Sequence, residues 1–344
     1  MADPVRDPEV RLRVLVTGGA GYVGSVSVER LLDAGHDVVI LDDLSTGHRE
    51  SVPETASIEV ASYGDPDAMA RLLERAHVDA ILHCAARSLV AESVRDPSRY
   101  YRDNVAGGIV LLEAARQAGI GRIVFSSTAA VYGVPDETPI RETAPLRPIN
   151  TYGETKRTFE GALRFYGEAY GIRSVSLRYF NVAGATERNG EQHDPETHLI
   201  PNVLRAAETG EPITIFGDDY PTPDGTCVRD YIHVADLADA HLVALEATAS
   251  GDDRTNDALV CNLGIGEGFS VREVVDAAAA VVGGAIPVTM GPRRTGDPPV
   301  LVAAPDRARE VLGWSATRPT LEAMIGSAWE WRRAHLDESG ARLA

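Results

Sequence analysis

The segment Arg11–Gly24 (RLRVLVTGGAGYVG) decides the fold of this chain. Its first half is rich in valine and leucine, which is typical of a strand buried on both faces of a parallel sheet. Glycines follow at positions 18, 21 and 24, and a helix-period segment then runs to Ala34 and closes at Gly35. A strand, a glycine-rich turn and a helix in this order predict the first unit of a dinucleotide-binding fold.

The three glycines have separate predicted roles in such a turn. Gly18 permits the tight turn, Gly21 lets the backbone approach a pyrophosphate, and Gly24 allows close packing of the helix on the strand. The helix N-terminus then faces the anion. The alternative is a glycine-rich turn that binds no ligand.

The next strand indicates which dinucleotide binds. The strand Asp37–Leu41 (DVVIL) ends at Asp42 and Asp43, and Asp42 lies 24 positions after Gly18. A carboxylate at this place accepts hydrogen bonds from the ribose hydroxyls of NAD and repels the extra phosphate of NADP. Because no arginine or lysine follows before Arg49, the sequence predicts NAD.

A tyrosine and a lysine lie one helical turn apart in the segment TYGETK, at Tyr152 and Lys156. An ammonium group beside a phenol favours the phenolate, so we expect Lys156 to lower the pKa of Tyr152 and make it a general base. Alone, this spacing is more often an ordinary helix face. Behind a dinucleotide fingerprint it predicts a catalytic pair.

Strands and helices alternate through the first half of the chain, which predicts an α/β fold with a Rossmann-type doubly wound parallel sheet. Beyond Asn181 the alternation breaks, and a smaller mixed α/β domain is expected there. The alternating segments are Ser57–Ala61, Ala68–Arg75, Asp79–Cys84, Ser98–Ala118, Arg122–Ser127, Tyr152–Tyr170 and Arg173–Tyr179.

Composition narrows the possible partners. The chain has 344 residues and a net charge of −18, which disfavours nucleic acid and anionic membrane surfaces as partners.

Its three cysteines form no CxxC motif, as expected in a reduced compartment. The N-terminus carries no apolar signal segment and no apolar run reaches about 20 residues, so a cytoplasmic location is predicted.

A metal site is not predicted from the sequence. His233, Asp236 and His241 are residue types that can bind a metal. Their intervals of three and five, however, do not place all three on one helical face. Cys84 is interpreted as a small core residue at the end of a strand.

Together these motifs resemble the extended short-chain dehydrogenases/reductases, and within them the UDP-glucose (UDP-galactose) 4-epimerases. The resemblance runs from about Arg11 to Arg333 and is most specific in the block IFGDDYPTPDGTCVRDYIHVADLADAH. It also rests on TGGAGYVGS, LDDLSTGH, AESVRDPSRYYRDNV, FSSTAAVYG, TYGETK, LRYFNVAGA and RRTGDPP. Val26 and Ser27 follow Gly24 and Ser25 where this family often has a histidine. Thr128 stands where many members have a serine, and it keeps the hydroxyl.

The resemblance implies roles for individual residues. Tyr152 would be the acid/base, Lys156 its electrostatic partner, and Thr128 the hydroxyl between the tyrosine and the sugar. The implied NAD contacts are Gly18, Gly21, Tyr22, Val23, Gly24, Asp42, Asp43, Leu44, Ser45, Thr46, Gly47, Asp65, Pro66, Cys84, Ala85, Ala86, Ser88, Asn104, Tyr152, Lys156 and Phe180. The implied UDP-sugar contacts are Thr128, Tyr152, Asn181, His198, Leu199, Thr214, Ile215, Phe216, Arg229, Arg294, Asp297 and Leu301.

The resemblance also implies domain limits and assembly. The NAD-binding domain would cover 11–181, with a return of the chain near 229–262, and the UDP-sugar domain would cover 182–228 and 263–335. Flexible tails are expected at 1–10 and 336–344. A homodimer is expected through the Ser98–Ala118 and Tyr152–Tyr170 helices. The second helix carries more large apolar groups than one buried stripe needs.

Three other functions fit parts of the pattern to different degrees. A sugar-nucleotide 4,6-dehydratase needs an acidic pair after the threonine, whereas Ala129 and Ala130 follow Thr128. A non-catalytic NAD-binding regulator would have no need of Tyr152 and Lys156. A 4-epimerase of another UDP-sugar, such as an N-acetylhexosamine, a glucuronate or a pentose, stays open.

Overall fold

The structure is a computed structural model that describes residues 11–249, 258–294 and 297–336. The tails predicted at 1–10 and 336–344 lie outside the described residues, apart from Leu336. Within the described part of the chain, no helix combines the length and apolar character needed to cross a membrane.

Fourteen strands are described, seven of which form the central sheet. Their bounds are β1 Arg13–Thr17, β2 Asp37–Asp42, β3 Ser57–Val60, β4 Ala80–His83, β5 Arg122–Thr128, β6 Arg173–Tyr179, β7 Asn181–Ala183, β8 Ile213–Phe216, β9 Val228–Arg229, β10 Tyr231–His233, β11 Leu259–Leu263, β12 Phe269–Ser270, β13 Val288–Gly291 and β14 Val300–Leu301.

The described α-helices number eleven and flank the sheets. Their bounds are α1 Tyr22–Asp33, α2 Pro66–Ala76, α3 Val90–Arg95, α4 Pro97–Tyr100, α5 Gly107–Gln117, α6 Thr151–Tyr170, α7 Leu199–Thr209, α8 Val234–Ala247, α9 Val271–Val282, α10 Asp306–Leu312 and α11 Leu321–His335.

The central sheet has the order β11-β6-β5-β4-β1-β2-β3, and every pair in it is parallel. The order reverses between β1 and β4, so the sheet has the topological switch point of a doubly wound fold. The predicted Rossmann-type fold class is confirmed. The seventh strand, β11, comes from late in the chain and pairs with β6.

Both faces of the sheet are buried, because successive side chains of a strand point to opposite faces. Val14 and Val16 of β1 enter one apolar core, together with residues of α1 and α8. Leu15, between them, enters the other core with Phe159 and Leu163 of α6. This double burial explains why the strands appear as continuous apolar runs in the sequence.

The helix predicted over Ser98–Ala118 is interrupted by a π-helical turn. Helix α4 leads into this turn, Tyr101–Ala106, and α5 follows it. Single π turns inside helices often lie at functional sites. Here the turn contains Asn104, a predicted NAD contact, which is buried.

The remaining strands are short and form three small sheets outside the central one. The strand β10 pairs with β7, β13 pairs with β8, and β9 lies between β12 and β14. Strands of two to four residues carry too little periodicity to be located from the sequence. They hold six of the twelve residues predicted to bind a UDP-sugar.

Candidate active site

The predicted NAD contacts follow the carboxyl ends of parallel strands, which meet at one edge of the sheet. The glycine turn follows β1, Asp42 ends β2, Cys84 follows β4, Thr128 ends β5 and Phe180 follows β6. Gly18 lies against Ala85, since a Cβ on Gly18 would approach the Ala85 nitrogen to 2.6 Å. The turns after β1 and β4 therefore meet at the switch point.

The glycine turn has the backbone geometry that a pyrophosphate needs. Gly18 has a φ of +74°, and a Cβ on Gly24 would lie 2.0 Å from the Gly18 carbonyl oxygen. A Cβ on Gly21 would meet only that oxygen, at 3.4 Å, so this face of the turn is open. No side chain caps the start of α1 among the described residues, which leaves its first amides available to an anion. The turn fits NAD.

Asp42 organises the loop after β2. Its carboxylate accepts hydrogen bonds from the backbone nitrogens of Ala20 and Leu44, both at 2.9 Å. Burial raises the pKa of Asp42, and the two backbone hydrogen bonds oppose this effect. Asp43 is exposed and accepts from the Ser45 nitrogen at 2.9 Å. Asp42 therefore joins the glycine turn to the segment 43–47.

Two other predicted NAD contacts have structural tasks of their own. Asp65 caps α2 by accepting from the nitrogens of Asp67 and Ala68, and Pro66 is the first residue of that helix. Asn104 exchanges two hydrogen bonds with the Arg87 backbone and donates to the Thr155 hydroxyl at 3.0 Å. It thereby ties the segment after β4, which includes Ala86 and Ser88, to the helix α6.

The predicted catalytic residues are all buried and close together. Thr128 is 9%, Tyr152 8% and Lys156 3% exposed. Asn150 caps α6 through the Gly153 nitrogen at 2.8 Å, and a Cβ on Gly153 would lie 2.4 Å from the Ala130 carbonyl oxygen. The start of α6 can thus lie against the turn after β5, which brings Tyr152 to Thr128.

The electrostatics of the pair differ from the expectation. Burial raises the pKa of Tyr152 to about 12, and a hydrogen bond with Thr128 opposes this rise. Burial also lowers the pKa of Lys156 to about 8. The predicted lowering of the tyrosine pKa by Lys156 is therefore wrong for these residues alone. The reason is that desolvation outweighs the charge of an ammonium that does not contact the phenol.

Lys156 is held by residues that the sequence analysis did not single out. Its Nζ donates to the Ser126 carbonyl oxygen at 2.7 Å and lies 4.6 Å from the centre of the Phe125 ring. The Ser126 hydroxyl donates to Cys84 Sγ at 3.3 Å and pairs with His241 Nε2 at 2.8 Å. A buried polar network thus runs beneath the lysine.

A second buried network fixes the middle of α6. Glu160 and Arg178 form an ion pair at 2.6 Å, with both side chains at most 7% exposed. Ser127 donates to Glu160 at 2.5 Å, and Arg178 donates to the Tyr132 hydroxyl at 2.8 Å. The pair joins α6 to β5 and β6, which carry the residues around the site. Isolated Glu and Arg residues give no sequence signal for such a pair.

The predicted UDP-sugar contacts Asn181 and Arg229 lie on either side of Asp230. The side chain of Asn181 donates to the Asp230 carbonyl oxygen at 3.1 Å. The Asp230 carboxylate accepts from the nitrogens of Ile265, Gly266 and Ala303, while burial raises its pKa to about 6. Asp230, which was not predicted, therefore anchors two segments, one at Ile265 and Gly266 and the other at Ala303.

Two arginines were predicted to bind the diphosphate, and their surroundings differ. Arg229 is largely buried and forms an ion pair with Asp297, another predicted contact. Arg294 is exposed and lies over the Phe216 ring, with 4.1 Å between the guanidinium carbon and the ring centre. Thr214, Ile215 and Phe216 form β8 beside β13, and Ile215 is buried while Thr214 pairs with Thr289.

His233, Asp236 and His241, for which no metal site is predicted, have separate partners in the structure. His233 bonds Ser327 and the Ala235 nitrogen, whereas His241 lies between Ser27 and Ser126. Asp236 instead binds the nitrogens of Thr317 and Arg318. His198, the residue before α7, lies in a different cluster, with Glu191, His193 and Glu196.

Comparisons with known proteins agree with this geometry. The model of the NAD dependent epimerase/dehydratase family matches residues 14–264. The chain therefore belongs to that family. The UDP-glucose 4-epimerase of Streptomyces lividans is 51% identical over 94% of this chain and 97% of its own length. These findings confirm the resemblance inferred from the motifs.

Two solved structures extend the comparison. The UDP-glucose 4-epimerase of Brucella ovis in complex with NAD is 43% identical, with a TM-score of 0.88 over 93% of this chain and 98% of that one. The UDP-glucose 4-epimerase of Bifidobacterium longum in complex with NAD+ and UDP is 35% identical, with a TM-score of 0.87 and the same coverage.

Proposed function

We propose that the protein is an NAD-dependent 4-epimerase of UDP-hexoses that interconverts UDP-glucose and UDP-galactose through a transient 4-keto sugar. The observation that carries this proposal is the buried group Thr128, Tyr152 and Lys156 at the carboxyl edge of a dinucleotide-binding sheet. The relatives named above, with chains of nearly equal length, support the same activity.

The turn after β1 would hold the pyrophosphate, and Asp42 would hold the adenosine ribose. When bound, NAD+ supplies the acceptor and donor for the hydrogen at sugar C4 and a positive charge near the phenol. Tyr152 takes the proton from the sugar O4 and later returns it. Thr128, which is hydrogen-bonded to the phenol, positions the hydroxyl that reacts. Lys156 holds a positive charge behind the site, fixed by the Ser126 carbonyl.

Inversion at C4 requires that the sugar turn over while the nucleotide stays bound. Cationic groups on the nucleotide side suit this requirement, because a guanidinium can hold a diphosphate through paired hydrogen bonds. Arg294 is exposed beside Phe216. Arg229 would exchange part of its contact with Asp297 for the phosphates. His198 and Leu199, at the start of α7, would contact the same end of the substrate.

The test is to incubate the purified protein with UDP-galactose and to identify the nucleotide sugars after the reaction. Appearance of UDP-glucose without net change in NAD supports the proposal. A protein that retains NAD but converts no UDP-sugar would instead be a regulator. Parallel incubations with UDP-N-acetylglucosamine, UDP-glucuronate and a UDP-pentose identify the preferred sugar.

We also propose that the protein forms a homodimer. Helix α6 presents Phe165 and Tyr170 to solvent, each 56% exposed, and the neighbouring segment presents Val94 and Tyr101 at 63% and 45%. Large apolar side chains that are exposed on neighbouring elements support an interface there. Two copies packed through these elements would cover these side chains.

A further inference from the structure

We propose that Glu191, His193, Glu196 and His198 form a binding site for one divalent transition-metal ion, of which Zn²⁺ is the best match. These residues lie in the loop between β7 and α7, at intervals of two, three and two. One ligand atom from each lies within 4.8 Å of all the others. The inference does not require the proposed epimerase activity, although His198 is also a proposed substrate contact.

The distances around the cluster are close to those of tetrahedral coordination, and three of the four are shorter. His198 Nδ1 lies 2.8 Å from Glu191 Oε1 and 2.9 Å from Glu196 Oε1. His193 Nδ1 lies 3.3 Å from Glu191 Oε1 and 3.7 Å from Glu196 Oε2. Zinc bonds of about 2.0–2.2 Å imply about 3.4 Å between neighbouring ligand atoms of a tetrahedron. The four separations lie on both sides of that value.

The cluster also holds a nitrogen with an unused lone pair or proton. His193 Nδ1 is inaccessible to solvent and makes no well-aligned hydrogen bond with the described residues. The Glu191 side chain beside it is only 8% exposed, whereas His198 is 48% exposed. The site is therefore enclosed on the Glu191 side and open at His198, which gives an ion a path of entry.

The donor set selects the type of ion. Two imidazoles and two carboxylates are ligands typical of Zn²⁺, and Co²⁺ and Mn²⁺ accept similar sets. Mg²⁺ and Ca²⁺ need six or more oxygen ligands, so two imidazoles disfavour them. None of the three cysteines, Cys84, Cys227 and Cys261, belongs to the cluster.

The position of the cluster indicates what a bound ion would stabilise. The His193 ring lies edge-on to the Tyr22 ring, 6.5 Å between centres, and Tyr22 begins α1 in the glycine turn. His48, after β2, contacts the Gln192 carbonyl oxygen at 3.1 Å. His198 begins α7. An ion held by the four side chains would connect the cofactor side of the site to the start of α7.

The test uses the purified protein with its NAD, treated with a chelator, dialysed and loaded with Co²⁺ or Zn²⁺. We expect about one ion per chain by elemental analysis after a second dialysis, and a Co²⁺ spectrum of tetrahedral nitrogen and oxygen ligation. Glu191→Gln and His193→Gln should each lower the affinity at least about tenfold. His335→Gln, a change at the end of α11, is the matched control and should bind as the wild type does.

Four outcomes overturn the proposal. Wild type that retains no ion means that the cluster is only an ion-pair network. Equal metal content in wild type and both cluster variants places the ion elsewhere, and a thiolate-to-cobalt absorption band places it on a cysteine. NAD content and circular dichroism of each variant establish that lost metal does not reflect a lost fold. Equal competition by Mg²⁺ would also contradict the assigned ligand chemistry.

Discussion

The ammonium nitrogen of Lys156 lies 5.9 Å from the centre of the Tyr152 ring, although the two residues are one helical turn apart. The lysine instead donates to the Ser126 carbonyl oxygen at 2.7 Å. Its charge therefore acts on the phenol from a distance. Within the protein alone, the hydrogen bond with Thr128 favours the phenolate, and burial opposes it.

Tyr152→Phe should reduce 4-epimerisation by about 10²- to 10⁴-fold, because the group that moves the O4 proton is lost. The fold and bound NAD should persist, since the ring still fills its buried position. The measurement is the turnover of UDP-galactose at matched NAD content. Tyr170→Phe, an exposed change on the same helix, is the control. Activity above about a tenth of wild type in the Tyr152 variant would mean that another group is the base.

NAD, rather than NADP, should be released when the purified protein is heated. Asp42→Asn should lower the NAD content, because one carboxylate oxygen that accepts a backbone hydrogen bond becomes an amide. Asp43→Asn should have a smaller effect, since that side chain is exposed. Chromatography of the released nucleotide measures both. Mainly NADP, or equal losses in the two variants, would contradict the role given to Asp42.

The Rossmann half of the molecule follows from the sequence because its signals are local. The runs around β1, β5 and β6 are long enough for periodicity, and the glycines of the first turn are needed for reasons of backbone geometry. The pair Tyr152 and Lys156 was likewise found from one helical turn.

The rest of the site depends on contacts between distant segments. Ser126 meets His241 across 115 positions, and Asp230 meets Ala303 across 73. No spacing in the sequence encodes such pairs. The cluster from Glu191 to His198 is local, but it lies in an irregular loop, where helical and strand periods give no information.

His241 should make the stability of the protein depend on pH below neutrality. Burial lowers its pKa to about 3 from an ordinary 6.5. The unfolded chain therefore takes up a proton near pH 6.5, whereas the folded protein does so only near pH 3. The contribution of His241 to stability is therefore largest above pH 6.5. The free energy of unfolding falls as the pH decreases from that value.

Urea unfolding of wild type and His241→Gln between pH 7 and pH 5 tests this expectation. At pH 7 the variant should be less stable, because Ser27 and Ser126 lose their buried partner. The difference should then shrink by up to about 1.4 kcal/mol per pH unit below 6.5. A difference that stays constant over the range would show that His241 does not titrate as described. His335→Gln again serves as the reference.

The proposed dimer predicts a mass twice that of the chain by light scattering at micromolar concentration. Phe165→Glu should shift the protein towards the monomer, because a carboxylate would be buried without a partner. Val134→Glu is the control, since Val134 is also about half exposed but lies outside these helices. A monomer mass for wild type, or equal behaviour of both variants, would contradict the proposed interface.

Leu301 packs beside the strand ends that carry the proposed site. It is half-buried and packs in one apolar cluster with Ala129, Val131 and Phe180, which follow the strands β5 and β6. In β14 it is the register partner of Arg229 in β9. These neighbours join the strand ends with the proposed catalytic residues to a proposed nucleotide contact, so under the proposed function a larger side chain here would take space from the sugar.

We predict that wild type converts UDP-N-acetylglucosamine as a secondary substrate and that Leu301→Tyr abolishes this activity before that on UDP-glucose. Leucine leaves more room than tyrosine near the C2 substituent, and overfilling the pocket acts first against the bulkier sugar. Val300→Tyr is the matched control, because adjacent strand residues point to opposite faces. The kcat/KM of each protein is measured on both sugars. If wild type does not convert the N-acetyl sugar, or if Leu301→Tyr lowers both activities equally, Leu301 does not select the substrate.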